Sequence, residues 1–129
     1  MRSDERLDAL DRAVASLSEF CASPITERRD VAGVLMALTY CYDLCWKCLQ
    51  DEVVRNGLSE RGPRLVAQAS FRLGLLQSDE AEIWQELADD RNRISHTYDS
   101  DWAIDALPRI CGSHLPLLQK MVPRLQALT

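Results

Sequence analysis

The amino-acid sequence predicts an all-α protein, an up-and-down bundle of four to five helices that occupies residues 1–129 as one domain. Apolar residues recur every three or four positions through long segments, which is the period of an amphipathic helix. No segment alternates with the period of two that a strand requires. The chain has 129 residues, of which 47% are hydrophobic, and this suits one core. Because a chain of this size buries only about two-thirds of its unfolded surface, a partner subunit would help to stabilise it.

The first two helices are the clearest in the sequence. The first is predicted from about Asp4 to Cys21 and ends before Pro24, because proline disfavours helical geometry in the preceding residue. The second is expected to begin at Thr26 as N-cap and to stop at Asn56-Gly57, where glycine accepts the left-handed conformation. The predicted buried stripes are Leu7, Leu10, Val14, Leu17 and Cys21, and then Val31, Val34, Leu35, Leu38, Cys41, Cys45, Cys48 and Leu49.

The remaining helices are shorter. Gly62-Pro63 predicts the start of a third helix, since proline fits a first turn. Ser78 is the expected N-cap of a fourth helix that runs toward Tyr98. A fifth helical region begins near Asp101. Prolines interrupt it, so we expect it to be kinked or broken into pieces; they are Pro108, Pro116 and Pro123.

The net charge of the chain argues against one class of protein. A net charge of −5 argues against a protein that coats nucleic acid, although a local pair of arginines can still hold one phosphate. The first twelve residues are charged and lack an apolar segment, and no apolar run approaches the roughly 20 residues that span a bilayer. We therefore expect a cytoplasmic protein without a membrane partner.

The stretch from Arg91 to Asp99 carries the strongest chemical signal. On a regular helix, Arg91, Ser95 and Tyr98 share one stripe, and Asn92 and His96 lie on the adjacent one. Arg91 and His96 are about 140° apart around that helix. The two side chains can therefore converge only if the helix loosens near His96, or if two copies of the chain meet across a symmetry axis.

These residue types suit RNA cleavage without a metal. An arginine presents a planar fork of donors to phosphate, and a histidine transfers protons near neutral pH. A base removes the proton of the 2′-hydroxyl, the oxygen attacks phosphorus, and the cation stabilises the anionic phosphorane. The alternative is a solvated helix face on which Arg91 pairs with Glu86 or Asp90.

The order of several motifs resembles that of HepT-type HEPN proteins, also described as nucleotidyltransferase substrate-binding proteins. Arg91, His96 and Tyr98 match the family pattern of Arg, four residues, His, one residue and Tyr. The other matching features are Tyr42-Asp43-Leu44-Cys45-Trp46-Lys47, Gly62-Pro63-Arg64, Gly74-Leu75-Leu76 and Trp84. The resemblance covers about Ala37 to Leu107 well and the two ends loosely.

The resemblance implies a helical bundle that dimerises through its helices, with the Arg–His motifs of both subunits lining one cleft. It also implies an RNA-cleaving toxin with Arg91 and His96 as catalytic residues. Asn92 and Ser95 would support phosphate or RNA binding. A minimal nucleotidyltransferase would act as antitoxin, and in some members it transfers AMP to the tyrosine that matches Tyr98. The alternative is a non-catalytic adaptor that presents a substrate to the nucleotidyltransferase. The chain departs from the family at Leu38-Thr39, where an aromatic-acidic pair is usual.

The five cysteines predict no disulfide framework, because their number is odd and no secretion signal is visible. Cys41, Cys45 and Cys48 have the spacing of an iron–sulfur motif. On a helix, however, they fall on one apolar face, where cysteine packs as a small hydrophobe. We therefore expect no metal and no cofactor.

The tryptophans are expected to anchor the core or the dimer interface rather than to stack on bases; they are Trp46, Trp84 and Trp102. His114 is interpreted as an ordinary surface residue. Two charged clusters, residues 27–30 and 88–91, are interpreted as solvated faces with local ion pairs.

Overall fold

The computed structural model describes residues 1–96 and 100–128, except for the side chains of His96 and Ser100. Within those residues the chain is helical and contains no β-strand, which confirms the predicted all-α bundle. The helices are α1 (Ser3–Ala22), α2 (Arg28–Arg55), α3 (Pro63–Arg72), α4 (Ala81–His96), α5 (Ser100–Arg109) and α6 (Leu115–Gln126). A 3₁₀ turn, Ser78–Glu80, precedes α4, and a π-helical turn, Ile110–His114, joins α5 to α6.

Helix α2 is the spine of the bundle. Its 28 residues extend for about 42 Å, and it packs against α1, α3, α4, α5 and α6. The predicted apolar stripe lies in the core, since Val34, Leu38 and Leu49 are fully buried. Helix α6 closes the bundle against α1. Helix α2 therefore positions most of the side chains described below, either directly or through a helix that packs on it.

Two helix starts differ from the prediction. Glu27, not Thr26, is the N-cap of α2, and it forms a capping box with Asp30. Hydrogen bonds from the backbone N–H groups of Glu27 and Thr26 lower the pKa of Asp30. Likewise Gln77, not Ser78, forms the capping box before α4. In both cases a reciprocal box one residue away satisfies more backbone donors than the single predicted cap would.

The C-terminal region is divided into α5 and α6 as predicted, but Pro123 does not interrupt α6. Pro108 lies inside α5, Pro116 in the first turn of α6 and Pro123 inside α6. Proline lacks an N–H, and its ring clashes with the carbonyl four residues earlier. For Pro116 that carbonyl belongs to Gly112, in the middle of the π-helical turn, where a wider turn relieves the clash.

The predicted absence of a disulfide is wrong. Cys21, at the end of α1, forms a disulfide with Cys111 of the π-helical turn, with a Cα–Cα distance of 5.6 Å. The two residues are 90 positions apart in the chain. The sequence could not reveal the pairing, because only the packing of the folded chain brings the end of α1 to this turn.

The other cysteines follow the prediction, since Cys41, Cys45 and Cys48 are free and buried on the core side of α2. Burial raises the pKa of Cys41 and of Cys48 to about 12, so these thiols are protonated and unreactive at neutral pH.

None of the helices in the described residues is long and apolar enough to cross a membrane.

Candidate functional site

Arg91 is held by a clamp between two helices. Its Nε donates to Asp43 Oδ1 over 2.8 Å, and its Nη2 donates to Asp43 Oδ2 over 3.0 Å. Its Nη1 donates to the hydroxyl of Ser95, one turn further along α4. Arg91 and Asp43 are 48 residues apart, so the clamp ties α4 to the middle of α2. A bidentate pair of this kind fixes the plane of the guanidinium as well as its position.

The clamp leaves the guanidinium charged and partly available. The hydrogen bond to Asp43 raises the pKa of Arg91, which is therefore a permanent cation. The side chains of Arg91 and Asp43 are 23% and 31% exposed, respectively, so water and ligands can reach them. A guanidinium has five N–H donors. Described residues use three, which leaves two for a ligand.

The clamp corrects the alternative interpretation of Arg91. Neither Glu86 nor Asp90 pairs with it in the described part of the chain; the carboxylate comes from α2. The predicted stripe of Arg91 and Ser95 is confirmed by their hydrogen bond. An acidic residue of α2, Asp43, lies one helical turn beyond Thr39 and contacts the motif.

The structure describes only some of the other motif residues. Helix α4 continues to His96. The His96 side chain and Tyr98 lie outside the described residues, so the approach of His96 to Arg91 stays a prediction. Asn92 is exposed and faces a cavity.

This cavity, of about 400 Å³, lies between α2, α3 and α4. Tyr42 and Trp84 form part of its wall and meet edge to face, with ring centroids 5.4 Å apart. Burial raises the pKa of Tyr42 to about 12, so its hydroxyl is a donor at neutral pH. The complete lining is Tyr42, Pro63, Arg64, Ala67, Gln68, Phe71, Ala81, Trp84, Gln85, Ala88 and Asn92.

A second charged cluster, separate from the Arg91 clamp, forms around Asp90 of α4. Arg109 donates from Nε and Nη2 to the two carboxylate oxygens of Asp90, over 2.8 and 2.9 Å. The Nε2 of His114 lies 2.7 Å from Asp90 Oδ2. Burial by itself would raise the pKa of Asp90, but hydrogen bonds from Arg109 and His114 bring it below the ordinary value.

This second cluster corrects two predictions. His114, expected at the surface, is completely buried. Asp90, expected on a solvated face, is only 6% exposed. Residues 27–30, the other charged segment of the sequence, do behave as predicted, since Arg29 and Glu27 form an exposed local ion pair. The adjacent residues Asp90 and Arg91 thus contact different parts of the bundle.

An apolar surface adjoins the motif helix on another side. Met36 and Tyr40 of α2 are 61% and 59% exposed, and Phe20 of α1 is 43% exposed. Two shallow hollows meet along Met36 and Tyr40, and one of them extends to Ile94 of α4. We call Phe20, Met36, Tyr40 and Ile94 the apolar face.

The tryptophans divide into two kinds. Trp84 is 3% exposed and belongs to the core, as predicted. Trp46 and Trp102 are half-buried, with Lys47 over the first ring and Arg93 over the second. The described residues contain no group of three or more His, Cys, Asp or Glu that could hold a metal ion.

Comparison with known proteins gives four findings. The family model described as "Nucleotidyltransferase substrate binding protein like" matches residues 5–127. A crystal structure of a Thermus thermophilus protein is similar with a TM-score of 0.75 and 23% identity, over 92% of this chain and 97% of that chain. A chain in the crystal structure of a mutant of the toxin–antitoxin MntA–HpeT is similar with a TM-score of 0.81 and 12% identity, over 97% of both chains. Curated protein sequences gave no match.

Proposed function

This chain belongs to the nucleotidyltransferase substrate binding protein-like family, and from that premise we propose that it is a metal-independent RNA endonuclease toxin. A partner minimal nucleotidyltransferase neutralises it as antitoxin. The observation that carries the proposal is the Arg91 clamp, in which Asp43 and Ser95 fix a cation and, among the described residues, use three of its five N–H donors. The similar fold of one chain in a toxin–antitoxin crystal structure supports the proposal.

The reaction needs only the motif residues. His96 removes the proton from a ribose 2′-hydroxyl, and the oxygen attacks the adjacent phosphorus. The bond from phosphorus to the 5′-oxygen breaks, and that oxygen takes a proton from the second imidazole of the dimer. The products are a 2′,3′-cyclic phosphate and a 5′-hydroxyl end. Arg91 neutralises the phosphorane, and Asn92 and Ser95 support the phosphate or the RNA.

The dimer is proposed to form on the apolar face. Ile94 is two residues from His96 in the chain, so a second copy seated there brings two motif helices together. Large exposed side chains such as Met36 and Tyr40 favour such an interface, because covering them removes apolar surface from water. Met36→Lys is expected to give a monomer in sedimentation velocity. The matched control Leu65→Lys changes an apolar residue of α3 that is 49% exposed, and it should leave the dimer intact.

Cleavage is tested with three variants of α4. Purified His96→Ala and Arg91→Ala should fold and dimerise but lose RNA cleavage and growth inhibition. Arg93→Ala removes an exposed guanidinium two residues away and should retain both. A fully active His96→Ala protein would contradict the mechanism.

The antitoxin is proposed to transfer AMP from ATP to the Tyr98 hydroxyl, with release of pyrophosphate. The added phosphate brings negative charge beside the cleft and repels RNA. After incubation with the nucleotidyltransferase and ATP, intact mass should rise by one or more AMP units, and Tyr98→Phe should prevent the gain. No gain in mass on the original chain would contradict this step.

A non-catalytic adaptor is the second candidate. It is favoured by the net charge of −5 and by the fact that Asp43 already neutralises Arg91. Expression without the antitoxin separates the two functions. Growth arrest that the nucleotidyltransferase relieves supports the toxin, whereas normal growth with intact RNA supports the adaptor.

A further inference from the structure

The cavity between α2, α3 and α4 has the size and the lining of a ligand site. Its volume of about 400 Å³ lies within the usual range for small-molecule pockets. It is an open groove, and small side chains line part of it, namely Ala67 on α3 and Ala81 and Ala88 on α4.

The lining combines aromatic rings with amides. Phe71 and the accessible edges of the buried Trp84 and Tyr42 supply apolar surface. Gln68 and Asn92 supply paired donors and acceptors, and Gln85, whose Nε2 donates to Asp89, adds an amide oxygen. An aliphatic ligand would leave those amides without hydrogen bonds. The edge of a nucleobase satisfies them, and an Asn or Gln amide matches the N6 and N7 atoms of adenine in particular.

A cation stands at the rim of the same cavity. Arg64, in the first turn of α3, is exposed and forms no ion pair or hydrogen bond with any described residue. Other arginines of the chain do have carboxylate partners, for example Arg72 with Glu60 and Arg124 with Glu80. A free guanidinium beside a base-sized space suits a phosphate group.

We propose that this cavity binds one adenine nucleotide, with the base between the aromatic and amide side chains and the phosphate on Arg64. The inference deepens the proposed function and rests on it, because Asn92 belongs both to the cavity and to the cleavage motif. The nucleotide has two possible sources, a residue of the RNA strand or a free adenine nucleotide such as the one the antitoxin uses. Both present the same base and phosphate.

The test measures binding rather than cleavage, so it succeeds or fails independently of the RNA endonuclease. His96→Ala protein is titrated in a calorimeter with AMP, with UMP and with a short adenine-containing single-stranded RNA. We expect binding of AMP or of the RNA, and weaker binding of UMP than of AMP. Arg64→Ala should weaken binding about tenfold or more, as expected for the loss of a charge-assisted hydrogen bond. Arg61→Ala, three residues earlier and outside the lining, is the matched control and should bind normally.

Two further variants test whether the ligand occupies the cavity. Ala67→Leu fills the cavity and should abolish binding, with folding checked by thermal melting. Gln68→Ala removes an exposed amide, leaves the core intact and should weaken binding even if Ala67→Leu does not fold. Binding of AMP that these variants reduce assigns the cavity to a free nucleotide, and binding of RNA alone assigns it to the RNA strand. Absence of both, or binding that neither variant changes, overturns the proposal even if the protein cleaves RNA.

Discussion

Asp90 and Arg91 are neighbours on α4, yet each forms a bidentate arginine–carboxylate pair of opposite character. Asp90 is buried and joins Arg109 and His114 of the C-terminal region to α4. Arg91 is partly exposed, and its partner Asp43 lies on α2. The geometry of the two pairs is nearly the same, and Arg109 is even more exposed than Arg91, but the carboxylates differ in burial. The Asp90 side chain is 9% exposed and contacts the fully buried His114, whereas the Asp43 side chain is 31% exposed. We infer that the inner pair holds the bundle together and that the outer pair positions a cation for a ligand.

The largest expected effect is on the inner pair. Asp90→Asn removes the charge that satisfies Arg109 and His114, and breaking a buried pair costs about 3–5 kcal/mol. Urea denaturation should show this loss in the free energy of unfolding. Asp89→Asn, at an exposed neighbour, is the control and should change it by less than about 0.5 kcal/mol. If Asp90→Asn and Asp89→Asn were equally stable, the inner pair would not hold the bundle together.

The disulfide should give the next largest effect, since it holds the π-helical turn that carries His114. Cys21→Ser opens a link between residues 90 positions apart, and links of this kind contribute about 2–4 kcal/mol. The free energy of unfolding should fall by that amount in Cys21→Ser and in the reduced original chain alike. A reducing agent should not change Cys21→Ser further. If reduction leaves the original chain equally stable, the link contributes nothing.

Acid should weaken the inner pair. The folded-state pKa of Asp90 is below its ordinary value, so the unfolded chain binds the proton more readily. The stabilisation is complete above the ordinary aspartate pKa of about 3.9 and is lost as pH falls through the lower folded-state value. Glu80, whose pKa the hydrogen bond from Arg124 lowers, adds to the same loss. Between pH 7 and 2, the free energy of unfolding should fall more steeply with decreasing pH for the original chain than for Asp90→Asn.

The outer pair should have the smallest effect on stability and a distinct effect on activity. Asp43→Asn removes a partly exposed ion pair, which contributes about 1 kcal/mol or less to the free energy of unfolding. Arg91 then loses its fixed orientation, so kcat for RNA cleavage should fall about 10- to 100-fold with little change in KM. Asp43→Glu should restore part of kcat, as expected of a positioning residue. A loss of stability as large as that of Asp90→Asn would show that the outer pair is structural.

The candidate site was predictable from the sequence only in part. The types and order of the residues in the motif singled out Arg91, Asn92 and Ser95, and helical spacing placed Arg91 and Ser95 on one stripe. Asp43 was not found, although Tyr42-Asp43 was part of the resemblance, because 48 residues separate it from Arg91. His114 was misassigned for the same reason, since its only described polar partner, Asp90, comes from another helix.

Local periodicity by itself determined the helical class, the course of α1 and α2, the buried face of the cysteines and the stripe of Arg91 and Ser95. Each of these depends on interactions within a few turns of one helix, which the order of residues encodes directly. Only the tertiary structure decided the two arginine–carboxylate pairs, the link between Cys21 and Cys111, and the cavity beside Asn92. These arise where distant helices pack, and the pairing of side chains there depends on the angle and depth of packing rather than on spacing along the chain.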